Sequence, residues 1–176
     1  MIFFSLTAPE CTFALSLTAD DTSHINSFLI QTCSTIDEEC TAQFHISGFG
    51  ETQWPVNVYP DLCILFEQLP YFLPWLIAGK EEIFDLKFYE QGFEKMFRFA
   101  RDGENINVKC FPYGPKPLQP HMAIIEMTTS AALTEQMLQV TQAYLQILGS
   151  HLETPAVLAM TRKWLAPITA LGVRLI

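Results

Sequence analysis

Residues 83–110, IFDLKFYEQGFEKMFRFARDGENINVKC, contain three strand-like runs that are separated by two short turns. Apolar and polar residues alternate through the first run, which is typical of a strand with one buried face. Gly92 and Gly103 stand where the chain must reverse, and glycine tolerates the positive φ that tight turns need. The stretch therefore predicts an antiparallel meander with strands near 83–89, 93–101 and 105–111.

A second meander is predicted in the N-terminal part of the chain. Apolar and polar residues alternate from Phe13 to Leu17, as in a half-buried strand. The run from 24 to 33 is apolar on both faces, and 34–39 is interpreted as an acidic loop. Pro55 favours an edge position for the last strand, because proline cannot donate to a central ladder. We expect these strands near 11–18, 25–33, 41–48 and 54–59.

Three helices are predicted outside the meanders. Asp61 is a suitable N-cap and Gly79 a suitable stop for the first, although Pro70 is expected to break or restart it. In the second, apolar residues recur every three or four positions, which is the spacing of one helix face. Thr154-Pro155 favours the start of the third, because proline suits the first helical position. The predicted bounds are 61–78, 130–148 and 155–166.

These elements predict an α+β fold in which the helices pack on one face of an antiparallel sheet. Strands joined by short turns and helices grouped together favour this class over a doubly wound parallel fold. The length of 176 residues fits one domain, 1–176. Within it we distinguish a sheet-rich part, 1–111, a proline-rich connector, 112–120, and a helical part, 121–176.

The formal net charge of −9 lies entirely in the first 79 residues, which contain nine acids and no Lys or Arg. Because phosphate binding needs a basic face, this pattern argues against DNA or RNA as a partner. A secretory signal or mitochondrial presequence is not expected either, since both need early Lys or Arg. The apolar stretch 68–78 is too short to cross a membrane, which takes about 20 residues. We expect a cytoplasmic protein with no membrane partner.

Five cysteines are present, an odd number without a C-x-x-C pair, so a disulfide framework is not indicated. Cys33 and Cys40 flank the predicted acidic loop and could pair if oxidised. The alternative is a set of small, half-buried thiols in a reducing compartment. The cysteines therefore agree with the cytoplasmic expectation.

No motif assigns a catalytic, cofactor or metal site. The glycine-rich phosphate loops and the G-x-S-x-G nucleophile turn are missing. The four histidines are far apart in sequence, whereas zinc needs three or four converging ligands. Cys63 would occupy the first turn of a helix, where the dipole favours a thiolate, but most such cysteines only pack. We assign no catalytic residue, metal or cofactor, and an enzyme is disfavoured without being excluded.

Two sets of residues are better suited to binding a partner. One is a set of acids in predicted loops, and the other consists of aromatic residues beside polar turns, which are enriched at interface hot spots. Alternatively, the rings cap the edges of the core, and the bases between Lys80 and Lys109 neutralise the acids. The candidate partner-binding residues are Asp20, Asp21, Asp37, Glu38, Glu39, Trp54, Tyr59, Tyr89 and Glu90.

The sequence supports three functional hypotheses. The first is a non-enzymatic module that binds a basic protein, because an acidic surface speeds encounter with such a partner. In size and charge the chain is similar to small acidic bacterial binding proteins, including immunity proteins that neutralise basic toxins. The second is a ligand-binding protein or enzyme with a pocket lined by Phe66, Phe72, Trp75 and Trp164. The third is a homo-oligomeric structural subunit, such as a homodimer, that associates through 71–77 or 171–176.

Overall fold

The computed structural model describes residues 1–8, 11–79, 81–113 and 124–175. These residues form six strands and four helices, which confirms the predicted α+β class. Short helical turns at Val58–Leu62 and Gly149–Glu153 lead into the second and fourth helices. The elements are β1 Phe3–Thr7, α1 Ile25–Glu39, β2 Gln43–Ser47, α2 Cys63–Ala78, β3 Ile83–Phe88, β4 Lys95–Asp102, β5 Asn105–Pro112, β6 Ile125–Thr129, α3 Ser130–Leu148 and α4 Pro155–Thr169.

The predicted meander over 83–111 is confirmed as the centre of a four-stranded antiparallel sheet with the order β3-β4-β5-β6. Leu86 faces Phe97 across the first pair, and both side chains are fully buried. Gly92 and Gly103 have φ values of 108° and 63°, which are the positive values that the turns require. The two predicted C-terminal helices are also confirmed, and α4 continues past its expected end to Thr169.

The sequence analysis did not predict β1 and β6. β1 pairs with β2 in a separate two-stranded sheet, and β6 pairs with β5 inside the part expected to be helical. In β6 the buried positions are Glu126 and Thr128, whereas Ile125 and Met127 are exposed. Its hydrophobic pattern is therefore inverted, and alternation alone cannot indicate which face is buried.

The strand predicted at 25–33 and the loop predicted at 34–39 are wrong, because both belong to helix α1. The apolar residues on both faces of the run suggested a buried strand, but in the structure Phe28, Leu29, Thr32, Cys33 and Ile36 are the buried residues of a helix. Their three- and four-residue spacing makes one continuous stripe on a helix. Packing of that stripe therefore outweighs the local strand propensity.

The strands predicted at 11–18 and 54–59 are also absent from the ladders of the described residues. Both segments have the expected alternation, with Phe13 buried in one and Val56 and Val58 in the other. The first segment lies against helical elements, where Nε2 of His151 hydrogen-bonds the carbonyl of Phe13 at 2.9 Å. In both segments the alternation comes from an extended chain that packs one side on the core. Neither segment pairs with a neighbouring strand in a ladder.

A disulfide joins Cys11 to Cys40, and the pairing considered for Cys33 and Cys40 does not form. Cys33 lies inside α1 with a fully buried side chain, whereas Cys40 is the residue that ends this helix. The bond therefore ties the extended segment after β1 to the carboxyl end of α1.

Helix α2 is the central element of the core, and the predicted break at Pro70 is wrong. The helix continues through Pro70 and Pro74 and ends where predicted, at Gly79 with a φ of 61°. Val58–Ala78 is long and apolar enough to cross a membrane, but 61% of its most apolar window is buried inside the fold. That degree of burial is typical of a core helix in a soluble protein.

Candidate functional site

The acids of the first 79 residues are not neutralised by close ion pairs within the described ranges. Two ion pairs occur there, Arg98 with Asp85 and the N-terminal ammonium with Glu126. The other bases in the second meander have different contacts. Lys95 lies 5.5 Å from the centre of the Trp54 ring, and Arg101 donates to the carbonyl of Trp75 at 2.8 Å. The charge asymmetry of the sequence therefore persists in the folded chain.

Three of the predicted partner-binding acids lie together at the carboxyl end of α1. Asp37, Glu38 and Glu39 are all exposed in its last turn, which contains no basic residue. The carboxyl end of a helix carries a partial negative charge, so carboxylates are disfavoured there. The helix end and the three acids together concentrate negative potential on this surface.

The chain leading into α2 brings further acidic and aromatic groups to the same end. The backbone N–H of Tyr59 donates to Oδ1 of Asp37 at 3.4 Å, and that of Asn57 donates to Oδ2 of Asp61 at 2.9 Å. Burial raises the pKa of Asp61, the Asn57 hydrogen bond opposes this, and the charges of Glu90 and Asp37 raise it further. These carboxylates are thus close enough to interact across three different segments.

The loop between β3 and β4 adds a second tyrosine. The hydroxyl of Tyr89 donates to Oε2 of Glu67 at 2.7 Å. Burial and this hydrogen bond raise the pKa of Tyr89, with smaller contributions that include the charge of Glu90. Tyr59 and Tyr89 remain 39% and 45% exposed, so their rings are accessible to a partner. We define the acidic face as Asp37, Glu38, Glu39, Tyr59, Asp61, Glu67, Tyr89 and Glu90.

Three of the predicted residues lie elsewhere. Asp20 and Asp21 precede α1, whose 15 residues separate them from the acidic face by about 22 Å. Asp21 is buried and accepts hydrogen bonds from both the N–H and the hydroxyl of Thr18, each at 2.7 Å, which is a turn-stabilising role. Trp54 packs edge-on against Phe93 at 5.4 Å, so its contacts are with the protein itself.

Sequence analysis missed two members of the acidic face. Asp61 was assigned only a capping role, and Glu67 lies in an apolar helix without any signal of its own. Both belong because the turn Val58–Leu62 and α2 pack beside α1, and Tyr89 of the β3–β4 loop reaches Glu67. Their closeness in sequence could have indicated that Asp61 and Glu67 lie near the same end of the predicted helix. It could not have indicated that α1 and the β3–β4 loop pack beside that end.

Burial disfavours the thiolate form of Cys33 and Cys110. Cys33 and Cys63 are buried, and burial, with a hydrogen bond to Cys63, raises the pKa of Cys33 well above its usual range. Burial likewise raises the pKa of Cys110 to about 11. Among the residues with described positions, no three His, Cys, Asp or Glu side chains are grouped as metal ligands.

The four aromatic residues proposed to line an internal pocket pack in the core, and one of them, Trp75, also borders a surface groove. Phe66 contacts Trp164 with ring centres 5.0 Å apart, and Phe72 contacts Phe99 at 4.8 Å. Trp75 is 6% exposed and the other three are fully buried. These rings fill the space between sheet and helices by packing on each other, so the acidic face is the better candidate site. Comparison of the chain with protein-family models, curated protein sequences and solved structures found no match.

Proposed function

We propose that this chain is a non-enzymatic protein-binding module whose acidic face docks a basic protein partner. The observation that carries the proposal is the gathering, around two half-exposed tyrosines, of carboxylates without a close basic partner from α1, the start of α2 with the turn before it, and the β3–β4 loop. An immunity-type protein that neutralises a basic toxin is one member of this class. The Cys11–Cys40 disulfide favours an oxidising compartment over the cytoplasm expected from the sequence.

Electrostatics supports a basic partner over an apolar one. Glu38, Glu39 and Glu90 are exposed, and the pKa of Asp61, which is raised first by burial, is raised further by the negative charges of Glu90 and Asp37. A cationic partner would relieve the repulsion between these charges and be steered toward the face over roughly 30 Å at about 0.01 M salt.

The tyrosines supply the second requirement of a protein interface. Charges at an interface mainly set the rate and specificity of association, whereas a few aromatic residues often dominate affinity. Tyr59 and Tyr89 are half-exposed, and the hydroxyl of Tyr89 is held by Glu67, so this side chain loses little rotamer freedom when a partner covers it. The acidic face thus combines carboxylates that attract a basic partner with tyrosine rings that provide contact area.

The test compares two variants that change net charge equally. Glu38→Gln/Glu90→Gln removes two exposed acids of the face, whereas Glu135→Gln/Glu153→Gln removes two exposed acids elsewhere. Each protein is immobilised and exposed to host lysate, and any captured protein is then purified and titrated. We expect wild type and control to bind at low salt, with release near 0.5 M NaCl and at least ten-fold weaker binding by the face variant. Equal binding by both variants contradicts the proposal.

A further inference from the structure

The last turn of α1 is electrostatically unfavourable on its own. Asp37, Glu38 and Glu39 follow one another at the carboxyl end of the helix, and this turn contains no basic residue. The partial negative charge of the helix end opposes carboxylates there, and like charges repel one another. Ile36 is the last buried side chain of the helix, so the three acids lie beyond its apolar contact with the core. Without other support, the turn is expected to unwind and to separate carboxylates of the acidic face.

The non-covalent contacts of these three acids are long and lie at the surface. Each carboxylate accepts a hydrogen bond of 3.2–3.4 Å at an exposed position. The donors are the N–H of Tyr59 to Asp37, the hydroxyl of Ser34 to Glu38 and the N–H of Ala14 to Glu39. Such distances lie at or beyond the long end of the usual range, so these bonds hold the turn weakly.

The Cys11–Cys40 disulfide supplies a stronger attachment. Cys40 directly follows Glu39 and donates its N–H to the carbonyl of Ile36 at 2.9 Å, so it closes the last turn. Its bond to Cys11 joins the turn to the segment after β1, a strand that pairs with β2 along its whole length. The disulfide therefore fixes the acidic end of the helix against the repulsion of its own charges.

The disulfide lies where an external thiol can reach it. Both of its cysteines are half-buried, and Cys11 lines a groove of 500 Å³ between the end of β1 and α3. Cys33 and Cys63, by contrast, are buried, so their thiols are shielded from solvent. A reductant that approaches from solvent would therefore act on the disulfide and leave the core unchanged.

We propose that the Cys11–Cys40 disulfide is a redox switch that keeps the acidic face assembled when it is formed and disperses this face when it is reduced. Once Cys40 is released from Cys11, the last turn of α1 unwinds and its acids separate from Tyr59 and Tyr89. A basic partner is then held less tightly. This last consequence rests on the proposed function, whereas the unwinding does not.

The reductant of this switch is a dithiol. One of its thiolates attacks a sulfur of the bond and forms a mixed disulfide, and the other cysteine leaves as a thiolate that takes up a proton. The second thiol of the reductant then displaces the remaining cysteine from the mixed disulfide. The chain gains two electrons and two protons as two thiols, and the reductant becomes a disulfide.

The first experiment measures the unwinding in the full-length chain without a partner. Amide hydrogen exchange is followed in the oxidised chain and after reduction with dithiothreitol, at about 0.01 M and about 0.5 M NaCl. We expect the amides of Glu38, Glu39 and Cys40 to exchange at least ten-fold faster after reduction at low salt. The increase should be smaller at high salt, which screens the repulsion, and the first half of α1 should change little. An unchanged last turn, or equal acceleration throughout α1, overturns the proposal.

Matched variants assign this effect to the bond and to the acids. In the reduced state, the last turn of Glu38→Gln/Glu39→Gln should be better protected than that of the wild type, because fewer charges repel one another. Cys11→Ser/Cys40→Ser should exchange rapidly with or without dithiothreitol, whereas Cys110→Ser should respond like the wild type. A response to reductant that persists in the double serine variant contradicts the switch.

The second experiment measures the consequence for binding with a defined cationic probe, a fluorescently labelled octalysine peptide. By fluorescence anisotropy at low salt, the wild type should bind it several-fold more weakly after reduction, and Cys11→Ser/Cys40→Ser should bind as weakly in either state. Equal affinity of the oxidised and reduced wild type overturns the switch. The proposed function is tested separately by Glu38→Gln/Glu90→Gln and Glu135→Gln/Glu153→Gln, since equal affinity of these two variants counts against the acidic face whatever the effect of reduction.

Discussion

The carbonyl of Phe66 explains how α2 continues through Pro70. Proline has no N–H to donate to the carbonyl four residues earlier, which would leave Phe66 without its helical partner. The indole Nε1 of Trp164 donates to that oxygen at 2.9 Å in the buried core. A side chain from α4 therefore supplies the missing hydrogen bond, and sequence periodicity in α2 alone could not reveal it.

This arrangement predicts energetic coupling between Trp164 and Pro70. Trp164→Phe should destabilise the fold by about 2–4 kcal/mol, through a lost hydrogen bond, an unpaired buried carbonyl and lost volume. In a Pro70→Ala background, the alanine N–H can bond Phe66, so the same change should cost about 1 kcal/mol less. Urea unfolding of the four proteins of this double-mutant cycle measures the coupling. Additive costs would show that the indole does not substitute for the missing N–H.

Elements were predictable where one surface of the chain is consistently apolar. The meander over 83–110 and helix α3 satisfy this condition, because their inward positions are apolar apart from Gln136 and Thr141 of α3, and both turns of the meander have a suitable glycine. Helix α1 fails it locally, since its β-branched residues favour a strand and its stripe is defined only by what packs on it. The secondary structure of such a segment depends on whether local propensity or tertiary packing contributes more. A single sequence shows only the propensity.

The segment after β1 has extended backbone without a ladder, so its attachment depends on a few contacts. The Cys11–Cys40 disulfide closes a loop with a sequence separation of 29, and Glu39 also accepts from the N–H of Ala14 at 3.4 Å. Replacing Cys40 with serine, or reducing the bond, should lower stability by about 2–4 kcal/mol. Hydrogen exchange should increase over 11–18 with little change in β3–β5.

The matched control for this element is Cys110→Ser, which alters a half-buried thiol that forms no disulfide. Its stability should not respond to added reductant beyond the response of the wild type. If wild type and Cys40→Ser unfold at the same denaturant concentration, the bond does not hold the segment in place.

At the scale of the molecule, opposite electrostatic environments lie on different surfaces. The acidic face collects carboxylates from three segments, whereas Lys87, Arg98 and Lys109 project from the sheet face opposite the buried Leu86, Phe97 and Val108. The sequence predicted Asp37, Glu38, Glu39, Tyr59, Tyr89 and Glu90 as candidate residues one at a time. That they gather, while Asp20, Asp21 and Trp54 do not, depends on α1 being a helix and could not be predicted from composition.

The two environments shift the pKa values of Asp61 and Asp85 in opposite directions. The pKa of Asp61 is raised from 3.8, so the folded state holds its proton more tightly than the unfolded state. Its contribution to stability is therefore lost as the pH rises above the unfolded value. Arg98 lowers the pKa of Asp85 from 3.8 through hydrogen bonds of 2.7 Å, so that contribution is present at neutral pH and is lost on acidification.

Asparagine substitutions should separate the two effects in urea unfolding between about pH 7 and about pH 3. Asp61→Asn keeps an acceptor for the Asn57 N–H and removes the charge, so the variant should gain stability relative to wild type as the pH rises. Asp85→Asn should cost at most about 1 kcal/mol at neutral pH, because the pair is partly solvent-exposed, and this cost should shrink toward acidic pH. Parallel pH profiles for the two variants would contradict a pKa of Asp61 that is raised in the folded state by burial and by the neighbouring charges of Glu90 and Asp37.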